Sequence, residues 1–140
     1  MLVSNLFGTL EWDDQIGRWL GECDWNRDLR VELAIEPRDV KDPSNLQSAN
    51  EGYAWLRSNE TDATARIRSA ALQLYNTAWC VNQTPMSDDE FRHHLELMRI
   101  AFNGDGSILL THDAGELFGG HVVDAILDPN RRFVGIELVG

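Results

Sequence analysis

Residues 29–36 alternate between apolar and polar, with Ala34 the exception on the polar side. Leu29, Val31, Leu33 and Ile35 fall on one side, and Arg30, Glu32 and Glu36 on the other. A period of two with one apolar side is the pattern of a half-buried antiparallel strand. Pro37 then ends the run, because it cannot donate to a ladder. Upstream, residues 7–12 and 18–24 read as two further strands, joined by a polar turn at Asp13-Asp14. Trp25-Asn26-Arg27-Asp28 turns the chain into the third strand.

The C-terminal part repeats the theme with strands at 95–102, 107–112, 121–127 and 132–139. Residues 95–102 are apolar on both sides. Asn103-Gly104-Asp105-Gly106 predicts a tight hairpin, since glycine supplies the positive φ such turns need. Asp128-Pro129-Asn130-Arg131 predicts a type I turn between the last two strands.

Between the strand groups the period changes to that of a helix. Leu46, Ala49, Tyr53 and Leu56 form one stripe, and Ala63, Ile67, Ala71, Leu74 and Ala78 continue it in phase. Asp42-Pro43 is a good helix start, with Asp capping free amides and Pro at the first helical position. A break is expected near Ser58-Asn59, where Asn59 can cap a second helix and Glu60 and Asp62 suit its first turn. Leu72 and Trp79 widen the second stripe. Ser87 and Glu90 have capping-box spacing for a short helix, which also accounts for the acids Asp88-Asp89-Glu90.

These readings give an α+β fold: antiparallel sheet from an N-terminal three-stranded and a C-terminal four-stranded meander, with the helical block packed on one side. Whether the strand groups share one sheet is left open by the pattern. The length fits a single domain over residues 1–140.

Charge changes the functional picture. The formal net charge is −11. Residues 1–42 carry ten acids against five bases, residues 43–85 three against three, and residues 86–140 ten against four. The strand-rich parts are acidic and the helical middle is neutral. Such a field disfavours nucleic acid and anionic lipid and favours a basic partner. No apolar run reaches membrane-spanning length, and residues 1–10 lack the features of a secretory signal, so a cytoplasmic location is expected. Cys23 and Cys80 have no metal or redox spacing and are expected to be free thiols.

Few residues suggest chemistry. His112, Asp113, Glu116 and His121 lie close together in one connection, and nitrogen and carboxylate groups of this kind can hold zinc or a similar metal. Their spacing matches no metalloenzyme motif, and no cofactor is expected. His93-His94 are adjacent and would point apart on a strand. Phe118-Gly119-Gly120-His121 permits a tight approach at a strand entrance, yet it is no phosphate loop: no helix and no Lys-Ser/Thr follow. Asn76 and Trp79 lie three apart on a helix and share a face. An Asn on that largely apolar face needs a hydrogen-bond partner, expected to be a strand or loop backbone. There is no Gly-x-Ser-x-Gly elbow.

Residues 72–79 with Tyr75, Asn76 and Trp79, the Ser87-Asp88-Asp89-Glu90-Phe91 start, the 103–106 turn, Phe118-Gly119-Gly120-His121 and the opening residues 7–12 together resemble a family of uncharacterised bacterial domains of unknown function. That family is marked by a Tyr-Asn-x-x-Trp helix and a Phe-x-Gly-His strand entrance. The resemblance implies that Asn76, Trp79, Phe118, Gly120 and His121 are shared positions, without assigning them roles. It also implies a link to toxin–immunity loci for some members.

The leading expectation is a non-enzymatic domain that binds a basic protein, as an immunity protein would, through acidic strand faces including Glu22, Asp24, Glu32 and Glu36. One alternative is a small metal-dependent hydrolase built on His112, Glu116 and His121. Another is a structural or accessory module.

Overall fold

A computed structural model of the chain describes residues 1–38, 45–81 and 83–140. Four strands come first: β1 (Leu2–Ser4), β2 (Gly8–Asp13), β3 (Arg18–Asn26) and β4 (Leu29–Ile35). Helices α1 (Leu46–Ser58) and α2 (Glu60–Leu74) follow, then a π-turn (Tyr75–Trp79) and the short α3 (Asp88–Phe91). Strands β5 (Glu96–Phe102), β6 (Ile108–Asp113), β7 (Val122–Leu127) and β8 (Phe133–Val139) close the chain.

The α+β class holds, but there are not two meanders of three and four strands. All eight strands form one sheet in the order β1 to β8. Every neighbouring pair is antiparallel except β4 and β5, which run parallel from Glu32 opposite Arg99 to Ile35 opposite Phe102. A parallel pair needs a crossover of a dozen or more residues. The helical block is that crossover. Periodicity marks each strand but carries no information on which strand meets which across such a connection.

Strand β1 was not expected. At three residues it is too short to show alternation. Its last residue, Ser4, is buried and its hydroxyl oxygen accepts from the Leu6 and Phe7 amides at 3.2 and 3.0 Å.

The helix start at Asp42-Pro43 lies outside the described residues. The break at Ser58-Asn59 is present, with the cap reversed: the Asn59 side-chain amide donates to the Trp55 carbonyl at 2.8 Å, closing α1, and no side chain caps α2. Ala63, Ile67 and Ala71 are buried as the stripe predicts, but Tyr75 then takes the inward position and Ala78 is exposed. The backbone widens after Leu74, where the Cys80 amide reaches back to the Tyr75 carbonyl at 2.8 Å. The capping box forms: Ser87 Oγ accepts from the Glu90 amide at 3.2 Å and donates to Glu90 Oε1 at 3.1 Å. No described helix is long and apolar enough to cross a membrane.

Alternation sends Val31, Leu33, Ile35, Ile100, Phe102, Ile108, Leu110, Ala125 and Leu127 to the helix side, where they meet Leu56 and Ile67. A second cluster joins Ala71, Tyr75, Phe91, Ala114, Phe118 and Val123. The helices cover this side of the sheet, so the charged positions of β3, β4 and β5 fall on the other.

A polar clamp closes the parallel junction at its C-terminal end. The Glu36 amide donates to the Phe102 carbonyl at 2.9 Å. The Gly104 amide donates to Glu36 Oε1 at 2.8 Å, and Arg18 donates to Glu36 Oε2 and Asn103 Oδ1 at 3.1 and 3.0 Å. The Asn45 side-chain amide reaches the Glu36 and Asn103 carbonyls at 3.1 and 3.3 Å. Gly106 is the glycine of this hairpin with positive φ, 93°. Gly104 is needed for closeness: a Cβ there would stand 2.5 Å from the Pro37 carbonyl oxygen. Gly104→Ala is therefore expected to cost about 1–3 kcal/mol in urea denaturation, the usual range for forcing atoms into a filled space. An unchanged midpoint would show that the junction tolerates opening.

Candidate functional site

The uncovered side of the sheet has an order set by strand register. Glu22 lies opposite Glu32, Glu32 opposite Arg99, Arg99 opposite Thr111, Thr111 opposite Asp124, and Asp124 opposite Glu137. A polar row thus crosses six strands. Two residues further along the strands runs a row of Leu20, Ala34, Ala101, Leu109, Ile126 and Gly135. This second row is apolar and small at its centre. Ala34, Ala101, Thr111 and Asp124 are all buried although no described helix covers them, and the face carries a hollow. It encloses a trough of about 740 Å³ between Leu20, Arg99, Asp124 and Val139.

Each acid expected to attract a partner lies on this face or at its end, and each has an arginine. Glu22 and Asp24 share Arg30 at 2.9 and 3.0 Å. Glu32 meets Arg99 at 2.8 Å and Glu36 meets Arg18 at 3.1 Å. Exposed pairs of this kind contribute at most about 1 kcal/mol. Glu137 has no ion pair among the described residues, and the Asp124 carboxylate accepts from the Thr111 hydroxyl. The Thr111–Asp124 pair escaped sequence reasoning. Asp124 inside the apolar run Val122-Val123-Asp124-Ala125-Ile126 was the available signal.

Asn76, Trp79, Phe118, Gly120 and His121 gather at one corner on the helix side. The Asn76 amide makes two bonds to the backbone of Met86, donating to its carbonyl at 3.0 Å and accepting from its N–H at 2.9 Å. A strand or loop backbone was the partner expected for it, and a loop supplies it. Phe118 is fully buried, with Tyr75 and Trp79 edge-on at 5.9 and 5.8 Å. Trp79 is 38% exposed and its ring also meets His121 at 6.2 Å. Gly119, rather than Gly120, is the close neighbour of Trp79; a Cβ on it would come within 3.3 Å of the indole. Both glycines have positive φ, 66° and 85°. A shallow hollow of about 500 Å³ beside Trp79 is lined by Tyr75, Gln83, His94, Glu116 and Gly119. The motif residues therefore build an aromatic joint between the π-turn and the entrance to β7. Asn76 is turned away from it toward Met86.

His112, Glu116 and His121 are not brought together. His112 points to the helix side of β6, buried, with Nδ1 3.3 Å from the Val123 carbonyl. Glu116 stands on the exposed connection after β6, and His121 abuts Trp79. Among the described residues no three His, Cys, Asp or Glu side chains are placed to hold a metal. Both cysteines are free, and burial pushes the Cys23 thiol up, away from a reactive thiolate.

A family model described as "uncharacterized protein conserved in bacteria" (DUF2262) matches residues 4–138. No curated protein and no solved structure matches the chain.

Two outcomes follow from this geometry. Asn76→Ala removes both bonds to Met86 and is expected to cost about 1–3 kcal/mol. Asn76→Asp, which keeps the acceptor and loses the donor, should also destabilise and should expose the Met86 amide to hydrogen exchange; native-like protection in both variants would contradict the role. Burial pushes the His112 imidazole below its ordinary 6.5, against smaller upward pulls from the Val123 and Leu110 carbonyls and Asp124. The unfolded chain then takes up a proton near that value that the native state resists. Stability from this source is complete above it and falls as pH drops below it. Urea titrations at about pH 7.5 and about pH 5.5 should show that loss, and His112→Leu should flatten it. An equal slope in the variant would assign the loss to other groups.

Proposed function

The chain belongs to this conserved bacterial family, and we propose that it acts as a protein-binding domain rather than an enzyme, receiving a basic segment of its partner in the trough of the open sheet face. The observation that carries this reading is the pair of adjacent rows, one polar with acids at both ends and one apolar. A strand-like or loop segment bearing Lys or Arg beside apolar side chains matches both rows. The apolar row supplies area to remove from water, and the acids supply charge complementarity.

The ion pairs on the face do not block such a partner. Those of Glu22, Asp24 and Glu32 are exposed and weak, so a partner's cation can displace their arginine from the carboxylate at small cost. Arg30 serves two acids, which leaves that group negative, and Glu137 carries its charge without an arginine among the described residues. Asp124 lies in the floor, where a cation reaching it is shielded from water and the attraction is stronger than at the rim. The overall negative field would steer a basic partner and raise the association rate. An immunity-type role against a basic toxin is one form this takes.

The test is capture from source lysate at low and high salt, with native protein beside a Glu22→Lys/Glu137→Lys double variant. Those two positions end the polar row and neither side chain is buried. The expected result is a basic protein held at low salt, released at high salt and lost with the double variant. A partner retained equally by both proteins, or an acidic partner, would contradict the reading.

A further inference from the structure

Among the described strands the sheet has two edges, β1 and β8. A sheet edge offers unpaired N–H and C=O groups to an incoming strand, and proteins blunt their edges with short strands, proline, lysine or a bulge. Strand β1 is three residues long. Strand β8 has seven, with neither proline nor lysine, and Glu137 is its one charge. Its bulge, opposite Ile126 and Leu127, takes up only the start, and Gly135–Val139 pair residue for residue with β7. No residue of β8 is buried, whereas Val123, Asp124, Ala125 and Leu127 of β7 are. Apart from the ladder to β7, no hydrogen bond among the described residues engages the backbone of Gly135–Val139. The exposed side chain of Val139 stands at the same edge.

We propose that an extended, basic segment of the partner adds to β8 as a ninth strand. The proposal rests on the reading of a basic partner and names the contact that holds it. Main-chain bonds along the edge supply affinity, and alternate side chains supply specificity. Register sets that alternation. Ile136 and Leu138 lie opposite Ala125 and Val123 and pack, half-buried, against the helix-side clusters. Glu137 lies on the open face opposite Asp124, with no ion pair among the described residues. An incoming strand therefore meets apolar neighbours on one side and a carboxylate on the other, so its residues alternate between apolar and Lys or Arg. Asp124 and Val139 also line the trough, so the added strand borders its β8 end. A second copy fits less well: each chain carries a net charge of −11, and its own β8 brings a carboxylate where a cation is wanted.

The probes are a blocked peptide of alternating valine and lysine and its twin N-methylated at every residue, which keeps the side chains and charge but cannot donate main-chain hydrogen bonds. Hydrogen exchange of the unaltered, ¹⁵N-labelled chain is the readout, because every second amide of an edge strand points outward and exchanges fast. Saturating peptide is expected to slow the outward amides of Gly135–Val139 about tenfold or more, and the N-methylated twin to leave them fast. Glu137→Lys should weaken the peptide by about tenfold, as attraction turns to repulsion. Outward amides of β8 left fast at every peptide concentration, equal protection by the twin, or a peptide affinity unaffected by Glu137→Lys would each overturn the proposal. So would protection of the peptide-free chain that rises with its own concentration, the mark of a second copy. The trough is judged separately: peptide that moves the Ala34 and Ala101 methyl signals while the β8 amides stay fast sinks this inference and leaves the trough reading standing.

Discussion

The pairing of β4 with β5 is the contact on which the rest of the molecule depends. Among the described strands it is the one parallel junction in an otherwise antiparallel sheet, and it joins two strand groups that local turns could not connect. Because the strands run the same way, the chain must return from one end of the sheet to the other, and α1 and α2 make that return. They bury one stripe each on the side of Leu33, Ile100 and Leu110. The junction is closed at its end by Arg18 and Gly104, which converge on the Glu36 carboxylate, and by Asn103, which accepts from Arg18. Glu36 is thus a fastening of the fold before it is part of any surface.

A single crossover covers a single face. That is why the molecule has two unlike sides. On the helix side, side chains interlock into two apolar clusters, and the aromatic residues Tyr75, Trp79 and Phe118 hold the π-turn against the entrance to β7. On the other side, no described helix overlies Ala34, Ala101, Thr111 and Asp124, yet they are removed from solvent. Small side chains at the centre of the sheet make a trough; large ones would have filled it. Glu22, Glu32 and Asp124 line that trough. Arginines moderate the first two without cancelling them.

Much of this was legible in the residues. Strand β4 announces itself by alternation, α3 by its capping box, and the β5–β6 and β7–β8 hairpins by their turn residues, because each signal is local. The failures are equally physical. β1 is too short for a pattern, and Asn59 can satisfy a carbonyl behind it as readily as an amide ahead of it. Residues 95–102 look apolar on both sides because a bulge between Leu97 and Arg99 resets the alternation, and because Ala101 is buried on the open face. The Tyr-Asn-x-x-Trp and Phe-x-Gly-His segments were visible as motifs, and their meeting at one aromatic joint was not. The polar row was invisible for the same reason as the single sheet: register between β4 and β5 is decided across the helical crossover.

The central claim is that the uncovered face of the sheet is the working surface. Methyl-labelled alanine reports on it directly, since Ala34 and Ala101 lie in the trough whereas Ala49, Ala63 and Ala71 are buried residues of α1 and α2. Titration with oligolysine should move the Ala34 and Ala101 methyl signals saturably, with the helix-side methyls still and the effect lost at high salt. Shifts confined to Ala49, Ala63 and Ala71, or no saturable shift at all, would contradict the account.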